Sequence, residues 1–526
     1  MPSKLKELIL VDCALSDTHI QSLFYSPSNF SSSLTILLLS SNILTFSTFQ
    51  LLSNFSLILQ ELYLSHNNIV LSSTVYSNFP SLVTLDLSYN NMTSLVFQGS
   101  FNFSLKLQNL YLRNCSLRDD NFLISAISIT NSSSSLTSLD LYSNMLKSSS
   151  IFYWLFNSTT NLRTLEIYHN MLEGPIPDGF GKVMNSLEVL DLSDNKLQGQ
   201  IPSFFGNMCA LQSLDLSNNK LSGNISSFFQ NSSWCNKQVF RSLFLSDNQI
   251  TGILLISIGL LSELEYLFLD GNCLEGDFTE SHLSSFSKLG YLSLSNNSLF
   301  LKIVPNWVPP FQFIYLELRS CKLDPTFPSW LQTQGSLFYL DISENRLTGS
   351  VPKWFWNNLH DVLYLDMSKN NLSGAILNNI SLKLFNRPSI FLNSNNFEGE
   401  IPQFLLQASD LTLSHNKFSD FFHSLLFLDL SNNKLSGKIP VSMGSLVKLE
   451  VLVLRDNNLM GELASTLKNC SNLIMLDVAE NMFSGPIPSW IGESMQQLII
   501  LNMRGNHFSG YLPIQLCYLK HIQYDV

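Results

Sequence analysis

The sequence predicts an α/β solenoid, a stack of short parallel strands joined by crossovers and lacking a single globular core. Three observations predict it. The phrase from Leu187 to Pro202, LEVLDLSDNKLQGQIP, places Leu187, Leu190, Leu192 and Leu197 at positions 1, 4, 6 and 11, with Asn195 at position 9. Alternation around Leu190 and Leu192 signals a strand, whereas the wider apolar spacing fits neither a period of 2 nor one of 3.6. The phrase also recurs along the whole chain, and one copy alone cannot bury its own leucines, so neighbours must stack on it.

The recurrence can be followed through position 9. It holds Cys13, Asn42, Asn67, Asn90 and Cys115, then runs through Asn195 and Asn219 to Asn506, which gives 21 copies. This is the leucine-rich repeat, in which a strand is followed by a sharp turn. The position-9 amide is expected to satisfy backbone groups that the turn leaves unpaired. The expectation is therefore one solenoid domain over 1–526, a horseshoe or superhelix with a concave parallel β-sheet of about 21 strands. At about 4.8 Å per strand its inner arc would be roughly 100 Å long.

Composition narrows the function. Charged residues make up 13% of the chain and the net charge is −11. No basic patch or nucleic-acid-binding module is present, which argues against nucleic acid as a partner. The most apolar stretch, Ile253 to Leu269, is broken by Glu263 and Glu265, so no membrane span is expected in this chain. The opening residues Met1-Pro2-Ser3-Lys4 lead straight into the first repeat with no secretory leader.

Taken in order, the first six repeats carry Asn-Phe pairs on their outer segments: Asn29-Phe30, Asn54-Phe55, Asn78-Phe79 and Asn102-Phe103. A Phe column at constant register is expected to fill the outer half of the core. From repeat 7 a second signature follows the Asn, as in Gly174-Pro175-Ile176-Pro177, Gly199-Gln200-Ile201-Pro202 and Gly437-Lys438-Ile439-Pro440. Glycine permits a backbone turn closed to other residues, and proline fixes an extended segment. Together they predict a short second strand beside the first.

The combined pattern L-x-x-L-x-L-x-x-N-x-L-x-G-x-I-P resembles the plant-specific leucine-rich repeat. The chain as a whole is similar to the ectodomains of plant receptor-like proteins and receptor-like kinases, closest to those that recognise fungal elicitors. The resemblance implies binding of a peptide, protein or glycan ligand on the concave face, with a co-receptor kinase as a further partner, outside the plasma membrane. That family carries terminal caps, and this chain shows none: it opens within a strand at Leu5, Leu8 and Leu10 and stops at Tyr524-Asp525-Val526. It therefore reads as an internal stretch whose uncapped ends are expected to aggregate. A second departure lies around 396–433. Asn416 and Asn433 are only 17 residues apart, so an irregular, pinched crossover is expected there.

Two columns face the solvent side of the predicted strands. Position 5 holds acids in many repeats, among them Asp191, Asp215, Asp341 and Asp366. Paired carboxylates suit glycosidase chemistry, but here they stand on an open wall with no pocket. Position 3 of repeats 11 to 15 holds Tyr266, Tyr291, Tyr315, Tyr339 and Tyr364. This tyrosine ladder is the candidate ligand-binding site, because tyrosine is enriched at interface hot spots. Arg319, at position 7 nearby, is the candidate anchor for a peptide carboxylate or a sugar acid.

Cys13, Cys115 and Cys321 stand at position 9 and are expected to be buried thiols. Cys209 and Cys235 lie 26 residues apart, about one repeat, which predicts a disulfide on the outer side in an oxidising compartment. His66, His169 and His415 occupy equivalent positions of distant repeats and cannot share a metal. Neither a metal nor a cofactor is expected. Thirteen Asn-x-Ser/Thr sequons are candidate glycosylation sites: Asn29, Asn54, Asn91, Asn102, Asn114, Asn131, Asn157, Asn224, Asn231, Asn296, Asn371, Asn379 and Asn469. No phosphate-binding loop or kinase signature is present, so the chain is not expected to be an enzyme. The leading expectation is a receptor ectodomain. The alternative is a secreted inhibitor of a cell-wall-degrading enzyme, resembling the polygalacturonase inhibitors, which are much shorter.

Overall fold

The computed structural model describes residues 5–24, 33–55, 57–71, 79–92, 106–122, 135–148, 150–158, 161–229, 234–376, 383–384, 387–420 and 426–523. The chain forms two compact units, Met1–Leu274 and Glu275–Val526. Both are built the same way. Each repeat contributes one three-residue strand to a parallel ladder, and within each unit each strand pairs with that of the next repeat in identical register. Among the described residues the first unit has eleven such strands, from Glu7–Ile9 to Tyr266–Phe268. The second has ten, from Tyr291–Ser293 to Ile500–Asn502.

The leucine positions explain the ladder. Leu187, Leu190, Leu192 and Leu197 are each fully buried, as are their counterparts in neighbouring repeats. Because side chains alternate across a strand, Val189 and Asp191 of the same strand face the other way and stay partly exposed. Apolar burial on the inner side then fixes the register.

The turn after each strand rests on the position-9 Asn. Asn195 Nδ2 donates to the carbonyls of Ile167 (3.0 Å), Leu192 (3.1 Å) and Ser193 (2.9 Å), and its Oδ1 accepts the Leu172 amide (3.0 Å). One buried amide thus satisfies groups on two repeats. The residue before it adopts a left-handed conformation, with φ of 51° at Asp194, 52° at His66 and 55° at His169. Asp, Asn and His tolerate that region better than most residues, which accounts for the equivalent histidines without any metal.

Where cysteine replaces Asn the bonding is rearranged. Cys115 is buried and its thiol donates to Leu87 O (3.3 Å), while Cys321 donates to Leu294 O (3.1 Å). The Met92 amide, which an Asn side chain would have accepted, finds the Cys115 backbone carbonyl instead (2.9 Å). Cys13 departs from the expectation and is exposed. Its thiol donates to the carbonyl of Val11 (3.3 Å).

A second strand does form next to the Gly-x-Ile-Pro signature, ending at Gly199 in repeat 8, before the Ile-Pro step. Lys196–Gly199 pairs with Lys220–Asn224, which pairs with Gln249–Ile253. Gly199 sits at φ 87°, a conformation L side chains rarely adopt. In the second unit this outer ladder is interrupted at repeat 13, where Pro325 takes the glycine position and supplies no N–H. It restarts at Thr348–Gly349, whose Thr348 amide donates to Pro325 O (2.7 Å).

On the outer side, Phe79 is buried against Phe49, with ring centroids 5.4 Å apart. Phe30 and Phe103 fall outside the described residues, as does the Phe55 side chain. Cys209 and Cys235 are disulfide-bonded, with Cα atoms 4.9 Å apart. The neighbouring Trp234 is buried against Phe228 (4.8 Å) and Phe240 (6.2 Å). In the short repeats the strands Ser389–Phe391, Asp410–Thr412 and Phe427–Asp429 remain in register. The irregularity lies on the outer side instead, where the second-strand register shifts between Gly399 and Glu400; residues 421–425 are outside the description.

Candidate functional site

Four of the five predicted tyrosines lie in the second unit, and strand register places them side by side. Tyr291 is opposite Tyr315, Tyr315 opposite Tyr339, and Tyr339 opposite Tyr364. All are half-buried on the solvent side of the strands. The column ends at Ser389, opposite Tyr364. Tyr266 lies in the first unit, where its ring is 6.2 Å from Phe244.

Their orientation differs from the sequence expectation. An open row of ring faces would let a ligand lie flat across them, yet the rings of Tyr315, Tyr339 and Tyr364 stack on one another. Tyr315 and Tyr339 are 4.2 Å apart at 15°, and Tyr339 and Tyr364 are 4.3 Å apart at 4°. Neighbouring strands stand about 4.8 Å apart, which is close to the stacking distance of aromatic rings. The faces are therefore used within the column, and its outward surface consists of ring edges and hydroxyls.

The hydroxyls are held over acids. Tyr315 OH donates to Glu317 Oε2 (2.9 Å), which also accepts Ser293 Oγ (2.8 Å). Burial, with nearby Glu317 and Asp341, pushes the Tyr339 hydroxyl up to about 12, and Tyr315 and Tyr364 are raised in the same sense. The phenols therefore stay neutral donors throughout the physiological range. Burial likewise raises Asp341 to about 6, although Ser343 donates both its amide and its hydroxyl to Asp341 Oδ1.

Arg319 stands near the column but is already engaged. Its Nη2 lies 2.8 Å from Glu344 Oε1, which Lys369 Nζ also approaches at 2.7 Å. The guanidinium shares one carboxylate with a second base, so a ligand anion would have to compete with Glu344. The acids at position 5 are register neighbours as expected, with Asp191 opposite Asp215 and Asp341 opposite Asp366.

Two features of the first unit escaped the sequence reading. Tyr142 and Tyr168, at position 7, stack at 4.3 Å. Phe244 and Phe268 occupy position 5 of adjacent strands with centroids 5.3 Å apart. Both pairs were visible as aromatics at equal register, but position 5 was read only for acids and position 7 only for bases. Among the sequons, Asn91, Asn114, Asn224, Asn296, Asn371 and Asn469 are exposed, and none occupies position 3 or 5 of a strand. Asn29, Asn102, Asn131, Asn231 and Asn379, with the side chains of Asn54 and Asn157, lie outside the described residues.

Comparison with known proteins bears on this arrangement. The family described as Leucine rich repeat matches residues 160–221, 336–358, 424–446 and 448–470. Receptor-like protein EIX2 of Solanum lycopersicum is 33% identical over 276 residues, which is 47% of this chain and 27% of that protein. Cuscuta receptor 1 of the same plant is 29% identical over 324 residues, 54% of this chain and 28% of that protein. The chain is a leucine-rich-repeat solenoid similar in sequence to plant receptor-like proteins, and it matches little more than a quarter of the length of these relatives. Among solved structures, the plant peptide hormone receptor RGFR1 in complex with RGF2 aligns over 98% of this chain and 80% of that one, with a TM-score of 0.65 and 27% identity. The Arabidopsis receptor kinase HAESA, in complex with the peptide hormone IDA and the co-receptor SERK1, aligns over 97% and 88%, with a TM-score of 0.65 and 25% identity.

Proposed function

We propose that this receptor-like chain is the ligand-recognising part of a plant cell-surface receptor, facing the extracellular side and acting by binding rather than catalysis. The observation that carries this reading is the stacked column of Tyr315, Tyr339 and Tyr364 on the solvent side of the strands. Stacking pre-orders the rings, so a ligand meets fixed hydroxyls and edges at little cost in side-chain entropy. The exposed sequons support the same reading, since sugars at those asparagines would leave positions 3 and 5 bare. No helix among the described residues is long and apolar enough to cross a membrane. The solved relatives bound to peptide hormones favour a peptide ligand and a co-receptor kinase as partners.

The test is binding by the intact receptor against a panel of secreted plant peptides and cell-wall oligosaccharides. Tyr315→Ala and Tyr339→Ala should each weaken the ligand that binds by about thirtyfold, the ~2 kcal/mol expected of a hot spot. Tyr63→Ala should not, because Tyr63 lies outside the column and its hydroxyl donates to Glu61 (3.0 Å). Unchanged affinity in both column variants, with normal folding, would place the site elsewhere.

A further inference from the structure

The strand face of the first unit carries a line of side chains that the tyrosine column does not use. Position 5 of five consecutive strands holds Glu166, Asp191, Asp215, Phe244 and Phe268, each in register with the next. At about 4.8 Å per step, three carboxylates span about 10 Å and the two phenyl rings continue the same line. All five side chains are partly exposed.

The two ends of this line have different chemistry. Most strands that bear a side chain on this face use a polar residue at position 5, whereas Phe244 and Phe268 leave apolar surface in water. Tyr266, beside Phe244, broadens that patch. Partly exposed aromatic rings grouped on a rigid sheet are the type of anchor that dominates interface energetics.

At the acidic end, Asp191 Oδ1 accepts the Ser193 amide (2.9 Å) and hydroxyl (2.6 Å), and Asp215 Oδ1 does the same with Ser217. Among the described residues no donor reaches Oδ2 of either aspartate. Glu166 is ion-paired with Arg113 (3.6 Å), whose closer partner is Asp140, so Asp191 and Asp215 carry the charge this end leaves open. Burial and the neighbouring Asp191 raise Asp215 to about 6, a sign that its charge is not compensated within the fold.

We infer that this line is a docking strip for a segment of a partner protein that carries basic side chains followed by one or two large apolar ones. The basic groups lie over Asp191 and Asp215, and the apolar groups pack on Phe244 and Phe268. Charge complementarity selects this occupant, since an acidic strip repels anionic surfaces and the phenyl rings give a pure polycation nothing to bury. The strip is independent of the tyrosine column and can fail or stand without it.

The experiment pans a random dodecapeptide phage library on the full chain and measures the enriched consensus as a synthetic peptide. Two variants accompany it: Phe244→Ser with Phe268→Ser, and Asp191→Asn with Asp215→Asn. The asparagines keep the Oδ1 acceptor that Ser193 and Ser217 use, and circular dichroism checks that both variants fold. The expected consensus joins two or more Lys or Arg residues to a neighbouring large apolar residue. Each double variant should bind that peptide at least tenfold more weakly, and the asparagine variant should also lose most of the salt dependence. The inference is overturned by no enrichment, by a consensus without basic residues, or by a polybasic consensus that the serine variant binds as well as the parent chain does.

Discussion

Replacing Asn195 by Ala probes how the solenoid holds its turns. The side chain makes four hydrogen bonds, but they are not equally costly to lose. Ile167 O keeps the Asn170 amide (3.2 Å), Leu192 O keeps the Asn219 amide (3.0 Å), and Ser193 O keeps the His169 backbone N–H (3.0 Å). Only the Leu172 N–H is left without an acceptor. One orphaned buried donor costs about 1–3 kcal/mol, and three lost second bonds add about 0.5 kcal/mol each. The expected loss is about 3–4 kcal/mol, concentrated in repeats 7 to 9 because solenoid repeats couple to their neighbours. Native-state hydrogen exchange should show the Leu172 amide deprotected, with urea unfolding reporting the loss. Asn195→Cys should lose less than Asn195→Ala, because a thiol keeps a donor, as Cys115 does toward Leu87. A loss below about 1 kcal/mol with Leu172 still protected would refute the bonding argument.

Other predictions test separate parts of the fold. Cys209→Ser with Cys235→Ser opens a loop spanning a sequence separation of 26 and should cost about 3–4 kcal/mol by chain entropy, read as a lower Tm. Gly206→Ala would place a Cβ 2.3 Å from Trp234 Cδ1, so the indole must move. The expected overpacking penalty is about 1–3 kcal/mol, with a red-shifted tryptophan emission that Trp234→Phe abolishes. Burial raises Asp341 and Asp215 to about 6 and Glu166 to about 7. The folded chain thus binds protons that the unfolded chain releases, and stability should rise as pH falls from 7.5 to 5. Asp341→Asn, which keeps the acceptor for Ser343, should flatten that slope and add about 1–2 kcal/mol at pH 7.5; an unchanged slope would remove Asp341 from the account.

Much of this was legible in the sequence. Leucine spacing alone specifies which side chains are buried, and the 26-residue step between Cys209 and Cys235 brought them onto adjacent repeats. The position-9 Asn was predictable because its turn leaves backbone groups to satisfy. Ring orientation was not: register puts Tyr315 beside Tyr339, but only side-chain torsions decide whether faces meet each other or the solvent. Arg319 was read as available because its partner Glu344 belongs to the next repeat, 25 residues away. Cys13 was misread because position 9 alone does not report how much neighbouring structure covers the thiol, which is exposed here but buried at Cys115 and Cys321. Phe244 and Phe268 were in plain view but outside the residue types sought at their position.

The central claim is that ligand meets the tyrosine column on the strand side of the second unit. Hydroxyl-radical footprinting of the receptor, with and without the peptide or oligosaccharide that binds best in the panel, tests it most directly. The account predicts strong protection of Tyr315, Tyr339 and Tyr364, with the outer-side Trp354 and the exposed Tyr511 unchanged. Protection of Trp354 or other outer-side residues, with the three tyrosines as reactive as in the free chain, would contradict it.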